Sequence, residues 1–316
     1  MSVLGTPSRP GPDEAAILDR FGIGTDALIG AGGESRVFAL DAERVLRVLG
    51  GPPDLAVVDL VRGWTGVDRG VRVPAVLEVG RTGGQHWTVD VRVPGESLAG
   101  WLGRGQREAR RRAVLAEYLD VAGCLRRLPI ASGGFRALFV PDAVPAGATL
   151  VELLQERAEY GMAFGGNLLR GVLPDLDAIL ARLWADLGRR DAVPAFVHND
   201  YFPGNVMTDG ERITGVIDVS VHALAADPVM DEVGAACFVE LVDYPDAGAD
   251  AAWLSARLAE RLGTDAWLVD AYRRWYALYY SMDPALLDWS VAGLASSAGS
   301  VRSWSSIHSE SQPGHR

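Results

Sequence analysis

Lysine is missing altogether: the 30 basic residues of this 316-residue chain are all arginine. That excludes a Walker-A phosphate loop, which needs Gly-Lys. It equally excludes a lysine Schiff base to a carbonyl substrate or to pyridoxal phosphate. Cysteine is scarce too. Cys124 and Cys237 are too few for a disulfide scaffold and suit a reducing compartment. Five histidines and no Cys-x-x-Cys leave no pattern for a Cys/His zinc site. No stretch approaches the roughly 18 uninterrupted apolar residues of a membrane span. The opening MSVLGTPSRP lacks the charged start and apolar centre of a signal peptide, so a cytoplasmic protein without a membrane partner is expected. Acidic residues outnumber basic ones, 41 to 30, giving a net charge of -11. That balance argues against nucleic acid as a partner and suits neutral or cationic small substrates.

Apolar residues make up 48% of the chain, ample for a core, and the length suits two domains or one bilobal unit. Residues 1 to about 14, rich in Pro and Gly, read as a disordered tail. From about 29 to 93 the pattern is that of strands. Val37-Phe38-Ala39-Leu40 and Val45-Leu46-Arg47-Val48 bracket a turn at Asp41-Ala42-Glu43. Trp87, Val89, Val91 and Val93 alternate with Thr88, Asp90 and Arg92, the pattern of a half-buried strand. Pro94-Gly95 then punctuates the chain and is the expected linker. Beyond it the period turns helical. Val114, Leu115, Tyr118, Leu119, Ala122 and Leu125 share one stripe; Leu176, Ile179, Leu180, Leu183, Trp184 and Leu187 share another, behind Pro174. Further helices are expected near 251–262 and 266–281, with fraying from about Ser296. The reading is a two-lobed α+β protein, with a small β-rich lobe over 15–93 and a larger, mainly helical lobe over 94–316.

The chemistry concentrates in Phe196-Val197-His198-Asn199-Asp200-Tyr201-Phe202-Pro203-Gly204-Asn205-Val206-Met207 and, further on, Gly215-Val216-Ile217-Asp218. Asp209-Gly210 between them is a strong turn signal. A hairpin centred between Glu211 and Arg212 sets Asn205 opposite Asp218, with Asp200 on the loop five residues upstream. An amide oxygen and two carboxylates at one strand end are hard donors that suit Mg2+ better than zinc.

His198-x-Asp200-x4-Asn205 followed by Ile217-Asp218 resembles the catalytic loop and metal-binding aspartate of the aminoglycoside phosphotransferase family. This kinase-like group also contains macrolide, choline and homoserine kinases. Asp227-Pro228 with Asp231 resembles the Gly-Asp-Pro-x-x-Asp element that follows there, although Ala226 replaces the usual glycine and Asn199 stands where glycine is common. The resemblance implies a two-lobed protein-kinase-like fold, ATP or GTP as donor, Mg2+, and a small-molecule hydroxyl as acceptor. Asp200 would take the acceptor's proton, and Asn205 and Asp218 would hold Mg2+. Gly30, Gly32, Gly33 and Ser35, in a turn whose small residues admit phosphate to the backbone, would position the triphosphate together with Arg47. Arg47 occupies the place of a lysine, keeping the charge on a bulkier fork. Its acidic partner is expected at Asp59 or, failing that, Asp54. The segment Asp90, Val91 and Arg92 resembles the hinge that offers backbone groups to the purine, and His198 is expected to brace the loop.

An antibiotic is the leading acceptor under this resemblance. A metabolic kinase for a sugar, amino alcohol or homoserine is the alternative, and an inactive nucleotide-binding regulatory module is a further one that Arg47 permits. Tyr272, Trp275, Tyr276, Tyr279 and Tyr280 recur at helical spacing and read first as core. Asp231, Glu232, Glu240, Asp243 and Asp283 read first as solvated or capping carboxylates, and Arg107, Arg110, Arg111 and Arg112 as a solvated basic face.

Overall fold

The computed structural model describes residues 11–32, 35–64, 72–131, 133–140 and 143–295. Helix α1 (Pro12–Phe21) opens the chain with proline in its first turn, where a missing N–H costs nothing, and closes on Gly22 in the left-handed region. The tail expected over 1–14 therefore overlaps an ordered first turn, and Glu14 is buried against Arg36. Residues 1–10 lie outside the described ones.

Five antiparallel strands follow: β1 (Leu28–Ala31), β2 (Ser35–Ala39), β3 (Arg44–Leu49), β4 (Val76–Thr82) and β5 (Gln85–Val91), in the spatial order β1-β2-β3-β5-β4. Helix α2 (Leu55–Gly63) crosses from β3 to β4, and its N-terminal amides at Ala56 and Val57 are capped by the Asp54 carboxylate. The β2–β3 turn is closed by Asp41, whose carboxylate accepts the Glu43 and Arg44 amides. Strand period two divides β3. Leu46 and Val48 join Ile17, Leu18, Phe38, Trp87 and Val89 in a small core, while Arg47 faces the other way. Gly80 lies opposite Trp87, and a Cβ at 80 would sit 2.0 Å from the indole, so the ring fills the space that glycine leaves. The half-buried pattern read for β5 is corrected: Thr88 and Asp90 are as buried as Trp87 and Val89, on a face shared with Arg47, α2 and residues 218–221.

Beyond β5 the chain turns mainly helical. The helices there are α3 (Leu98–Gly103), α4 (Glu108–Cys124), α5 (Leu150–Val172), α6 (Leu176–Leu187), α7 (Val229–Phe238), α8 (Ala247–Leu262), α9 (Trp267–Tyr279) and α10 (Leu287–Ala295). Two three-stranded sheets complete this lobe. One orders β10 (Ile213–Val216), β9 (Val206–Thr208) and β6 (Glu96–Ser97); the other orders β7 (Arg136–Ala137), β11 (Leu224–Ala226) and β8 (Ala195–Val197). Every residue of α7 is buried, so this helix is the lobe's axis. The stripe from Val114 to Leu125 is fully inside, as its spacing requires. Helix α5 starts on a capping box, Thr149 with Glu152. In the basic cluster Arg111 turns inward to Asp250, at 2.5 Å, instead of facing solvent. Among the described residues no helix is long and apolar enough to cross a membrane.

Candidate active site

Strand β8 delivers the chain into a loop whose backbone is fixed before any side chain acts. The buried Asp231 carboxylate accepts the amides of His198 (2.7 Å) and Asn199 (2.9 Å). Burial pushes that carboxyl up to about 7, against the downward pull of the two amides. Asn199 has a φ of 63°, the left-handed conformation that glycine and asparagine adopt most cheaply, which gives the asparagine-for-glycine departure a physical reason. The His198 ring is buried and donates from Nε2 to the Ile217 carbonyl at 3.1 Å, so it braces the loop against the strand that leads to Asp218. Burial lowers its pKa. Tyr118 on α4 and Tyr201 stack at 4.8 Å and exchange hydroxyl-to-carbonyl hydrogen bonds, tying the loop to the helical core.

Asp200 leaves this frame with both carboxylate oxygens engaged. Oδ2 accepts from Asn205 Nδ2 at 2.9 Å and Oδ1 from the Tyr280 hydroxyl at 2.9 Å. Asn205 ends a 3-10 turn begun by Pro203, and its amide also donates to the Asp200 carbonyl. The β9–β10 hairpin forms around Asp209-Gly210, with one correction to the expected register. Val216 pairs with Val206, beyond a bulge between Ile213 and Gly215, so Asn205 faces Ile217, one residue short of Asp218, and the Ile217 amide donates to its carbonyl at 2.8 Å. Such a slip ordinarily turns side chains to the opposite face. Asp218 follows immediately with a φ of 68°, a left-handed turn that redirects the chain at that residue. Its Oδ1 accepts from Arg47 at 3.1 Å across the interlobe cleft.

Arg47 meets a second acid, Asp90, at 3.7 Å. The register explains it: Val45 opposes Asp90 and Arg47 opposes Thr88, so Arg47 and Asp90 are diagonal neighbours on one face. The expected partners are corrected, since Asp54 caps α2 and Asp59 is exposed. Burial raises the pKa of Asp90, and Arg47 opposes that rise. Gly30 sits in β1, Ser35 opens β2, and the Gly32 amide donates to the Ser35 carbonyl; Gly33 lies outside the described residues. The Val91 and Arg92 amides are engaged by the Ala75 and Glu43 carbonyls.

Two cavities flank this constellation. One, about 450 Å³, is lined by Arg47, Asp90 and Asp218 together with α2 and the segment 219–221. The other, about 590 Å³, has Asp200 in its wall with Phe202, Phe238, Tyr280 and Trp289, and with Glu240, Asp243, Asp283 and Asp288. Glu240 is held by Arg273 and by the Trp289 indole. Of the acids weighed from sequence, Glu240, Asp243 and Asp283 line the cavity, whereas Asp231 braces the loop and Glu232 pairs with Arg261. Neither cavity is lined by Gly30, Gly32, Ser35, Val91 or Arg92.

Residues 28–284 match the phosphotransferase enzyme family, APH. The chain belongs to that family. It is a kinase-type transferase that phosphorylates hydroxyls, and the fold is the two-lobed protein-kinase-like α+β fold. A thermostable mutant of aminoglycoside phosphotransferase APH(4)-Ia, in ternary complex with ADP and hygromycin B, is similar with a TM-score of 0.67 and 22% identity, covering 89% of this chain and 96% of that one. Another structure of APH(4)-Ia gives 0.67 and 20%, over 89% and 95%. ADP-bound APH(2'')-Ib gives 0.50 and 14%, over 84% and 90%. No curated protein matches the sequence.

The phosphotransferase has a donor set that fits Mg2+. Asn205 commits its Nδ2 to Asp200, which leaves the amide oxygen as donor, and Asp218 adds a half-exposed carboxylate. One amide and one carboxylate leave coordination places for water and phosphate oxygens, the usual situation of Mg2+. Among the described residues no cluster of three or more His, Cys, Asp or Glu exists to hold another kind of ion. Sequence reasoning missed Phe202, Phe238, Asp288 and Trp289. No local pattern marks them, because they come from three separate stretches of chain.

Proposed function

We propose that this phosphotransferase moves the γ-phosphate of ATP or GTP, with Mg2+, to a hydroxyl of a small cationic molecule, an antibiotic being the leading acceptor class. The observation that carries the reading is the place of Asp200. Its carboxylate forms part of the wall of the acidic, aromatic cavity and is hydrogen-bonded to Asn205, whose strand partner Ile217 runs straight into Asp218 and the other cavity. Acceptor and donor thus have adjoining places with one carboxylate between them.

In this reading the acceptor oxygen bonds to the γ-phosphorus as the bond to the β-phosphate oxygen breaks, and the hydroxyl proton passes to Asp200. Bound Mg2+ supplies neutralisation of the phosphate charge, with Asn205 and Asp218 as its holders. Arg47 gives its fork to phosphate oxygens, supported by the turn at Gly30, Gly32, Gly33 and Ser35. Asp90, Val91 and Arg92 form the purine end. Since the Val91 and Arg92 amides are engaged within the sheet, the Asp90 side chain is the part that faces a cavity. Residues 15–93 then serve the nucleotide and 94–316 the acceptor, in a cytoplasmic setting.

Carboxylates beside aromatic rings suit amines on ring scaffolds, which favours an aminoglycoside-like antibiotic over a neutral sugar or homoserine. Incubation of the purified protein with ATP, GTP and a panel of antibiotics and primary metabolites, read by mass spectrometry, tests this. Addition of one phosphate to a cationic antibiotic is expected; phosphate on a primary metabolite alone would overturn the acceptor class. Asp200→Ala should lower turnover by about 10²- to 10⁴-fold, the contribution of a positioned general base. Near-normal turnover in that variant would remove the assignment.

A further inference from the structure

Tyr280 is the one member of the aromatic series that reaches the acid at the cavity wall. Trp275, Tyr276 and Tyr279 are fully buried in the core, and the Tyr279 hydroxyl is spent on His222 Nδ1 at 2.6 Å. Tyr280 opens the 3-10 turn after α9, lines the 590 Å³ cavity, and places its hydroxyl 2.9 Å from Asp200 Oδ1 and 3.0 Å from the Asn199 carbonyl. We propose that Tyr280 is a positioning residue for phosphoryl transfer, which holds the Asp200 carboxylate in one plane by a hydrogen bond that it can hand over to the Asn199 carbonyl. The inference rests on the role given above to Asp200.

A carboxylate turns easily about its terminal torsion, because that sp³–sp² rotor has broad, shallow wells. Asn205 alone leaves Asp200 a hinge through Oδ2; Tyr280 at Oδ1 supplies the second point and fixes the plane. The phenol has one proton and two acceptors in reach. While Asp200 is a carboxylate, the proton points to Oδ1, where the bond is charge-assisted. Once Asp200 has taken the acceptor's proton, Oδ1 is a weaker acceptor, and the Asn199 carbonyl receives the same O–H without loss of a hydrogen bond. The left-handed backbone at Asn199 belongs to the arrangement that brings this carbonyl within reach. Burial raises the pKa of Tyr280, so the phenol stays protonated and acts as a donor throughout.

Tyr280→Phe keeps the ring and removes the donor. With an acceptor found in the panel, kcat is expected to fall about 10- to 100-fold, the effect of one hydrogen bond to a charged group. Acceptor KM and nucleotide Kd should stay within about twofold, because Tyr280 acts through Asp200. Adding Tyr280→Phe to Asp200→Ala should leave the residual rate unchanged. An unchanged kcat, a loss confined to KM, or an equal further loss in the Asp200→Ala background would each overturn the proposal. A second readout needs no acceptor. Crystals of the full chain and of Tyr280→Phe should show Asp200 in one rotamer in the first and in several in the second; a single unchanged rotamer in the variant would refute the clamp. A variant that frees Asp200 in a protein that phosphorylates nothing in the panel would count against the acceptor reading while leaving the clamp standing.

Discussion

Arg47 carries the most consequential single substitution relative to the lysine that the family resemblance leads one to expect. A lysine is a point charge on a flexible stem, whereas an arginine presents two terminal nitrogens in a rigid fork. Here the fork is divided, NH1 toward buried Asp90 and NH2 toward Asp218 across the cleft. One ammonium cannot reproduce that division. Arg47→Lys is therefore expected to weaken nucleotide binding by about tenfold, the scale of one charge-assisted hydrogen bond; calorimetric titration with ATP and GTP measures it. His198 gives a second test. Its pKa is lowered by burial, so as pH falls below about 6.5 the unfolded ring takes up a proton before the folded one. Its contribution to stability is therefore complete above that pH and declines below it. The stability difference between the native protein and His198→Gln should shrink as pH falls from 7 toward the folded pKa, as denaturant melts at several pH values would show. Asp231, whose pKa is raised, changes in the opposite sense but is common to both proteins and cancels in the difference.

Helix α5 shows how an element far from the reacting groups controls them. Gly161 and Gly165 lie one turn apart, and each faces backbone of the segment that bears Tyr279 and Tyr280. A Cβ at 161 would stand 2.4 Å from the Tyr279 carbonyl oxygen, and one at 165 would stand 2.3 Å from the Ser281 carbonyl oxygen. The helix axis is thus allowed closer to the 3-10 turn than any side chain permits. Gly161→Ala should destabilise the fold by about 1–3 kcal/mol, as overpacking does, and should lower turnover because the turn that places Tyr280 must move. Thermal melts and kcat on the same preparation check both parts. The β9–β10 hairpin makes a related point. Its turn was readable from Asp209-Gly210, but the bulge was not: a bulge depends on how two strands accommodate their surroundings, here Val93 and the Arg72 carbonyl packed against Gly215.

At the scale of the whole molecule, the net charge of -11 is not spread evenly. Glu240, Asp243, Asp283 and Asp288 gather around the cavity that Asp200 borders, while several arginines are spent on internal pairs such as Arg111 with Asp250 and Arg190 with Asp227. A cationic acceptor is then drawn to the cavity by a field that salt screens. Raising ionic strength from about 0.05 to 0.5 M should increase acceptor KM several-fold with little change in kcat. Asp288→Asn should raise KM in low salt and blunt the salt effect, which steady-state kinetics at a series of salt concentrations would reveal. Gly95 has a comparable importance at the lobe junction. Its φ of 99°, with the Thr208 carbonyl oxygen 2.2 Å from where a Cβ would stand, lets the chain leave the first lobe pressed against β9.

The order of reactive types along the chain belongs to the sequence alone: Asp200, Asn205 and Asp218 at fixed spacing, a strand-forming first third, and helical stripes whose period survives in α4, α6, α8 and α9. These are local properties, set by periodicity, turn chemistry and the identity of a side chain, and they need no knowledge of what lies opposite. Contacts between distant segments belong to the tertiary structure. Asp90 became the partner of Arg47 because strand register set it on the diagonal, while Asp59 faces solvent. Tyr280 left the core stripe because α9 ends one residue before it and the 3-10 turn aims it at Asp200. Asp231, legible in sequence as the last residue of the Asp227-Pro228-x-x-Asp231 element but not by its role, became the anchor of the loop because α7 is buried and carries it to the His198 and Asn199 amides. Pairing of this kind is a matter of packing between elements far apart in the chain, and no local pattern of residue types encodes it.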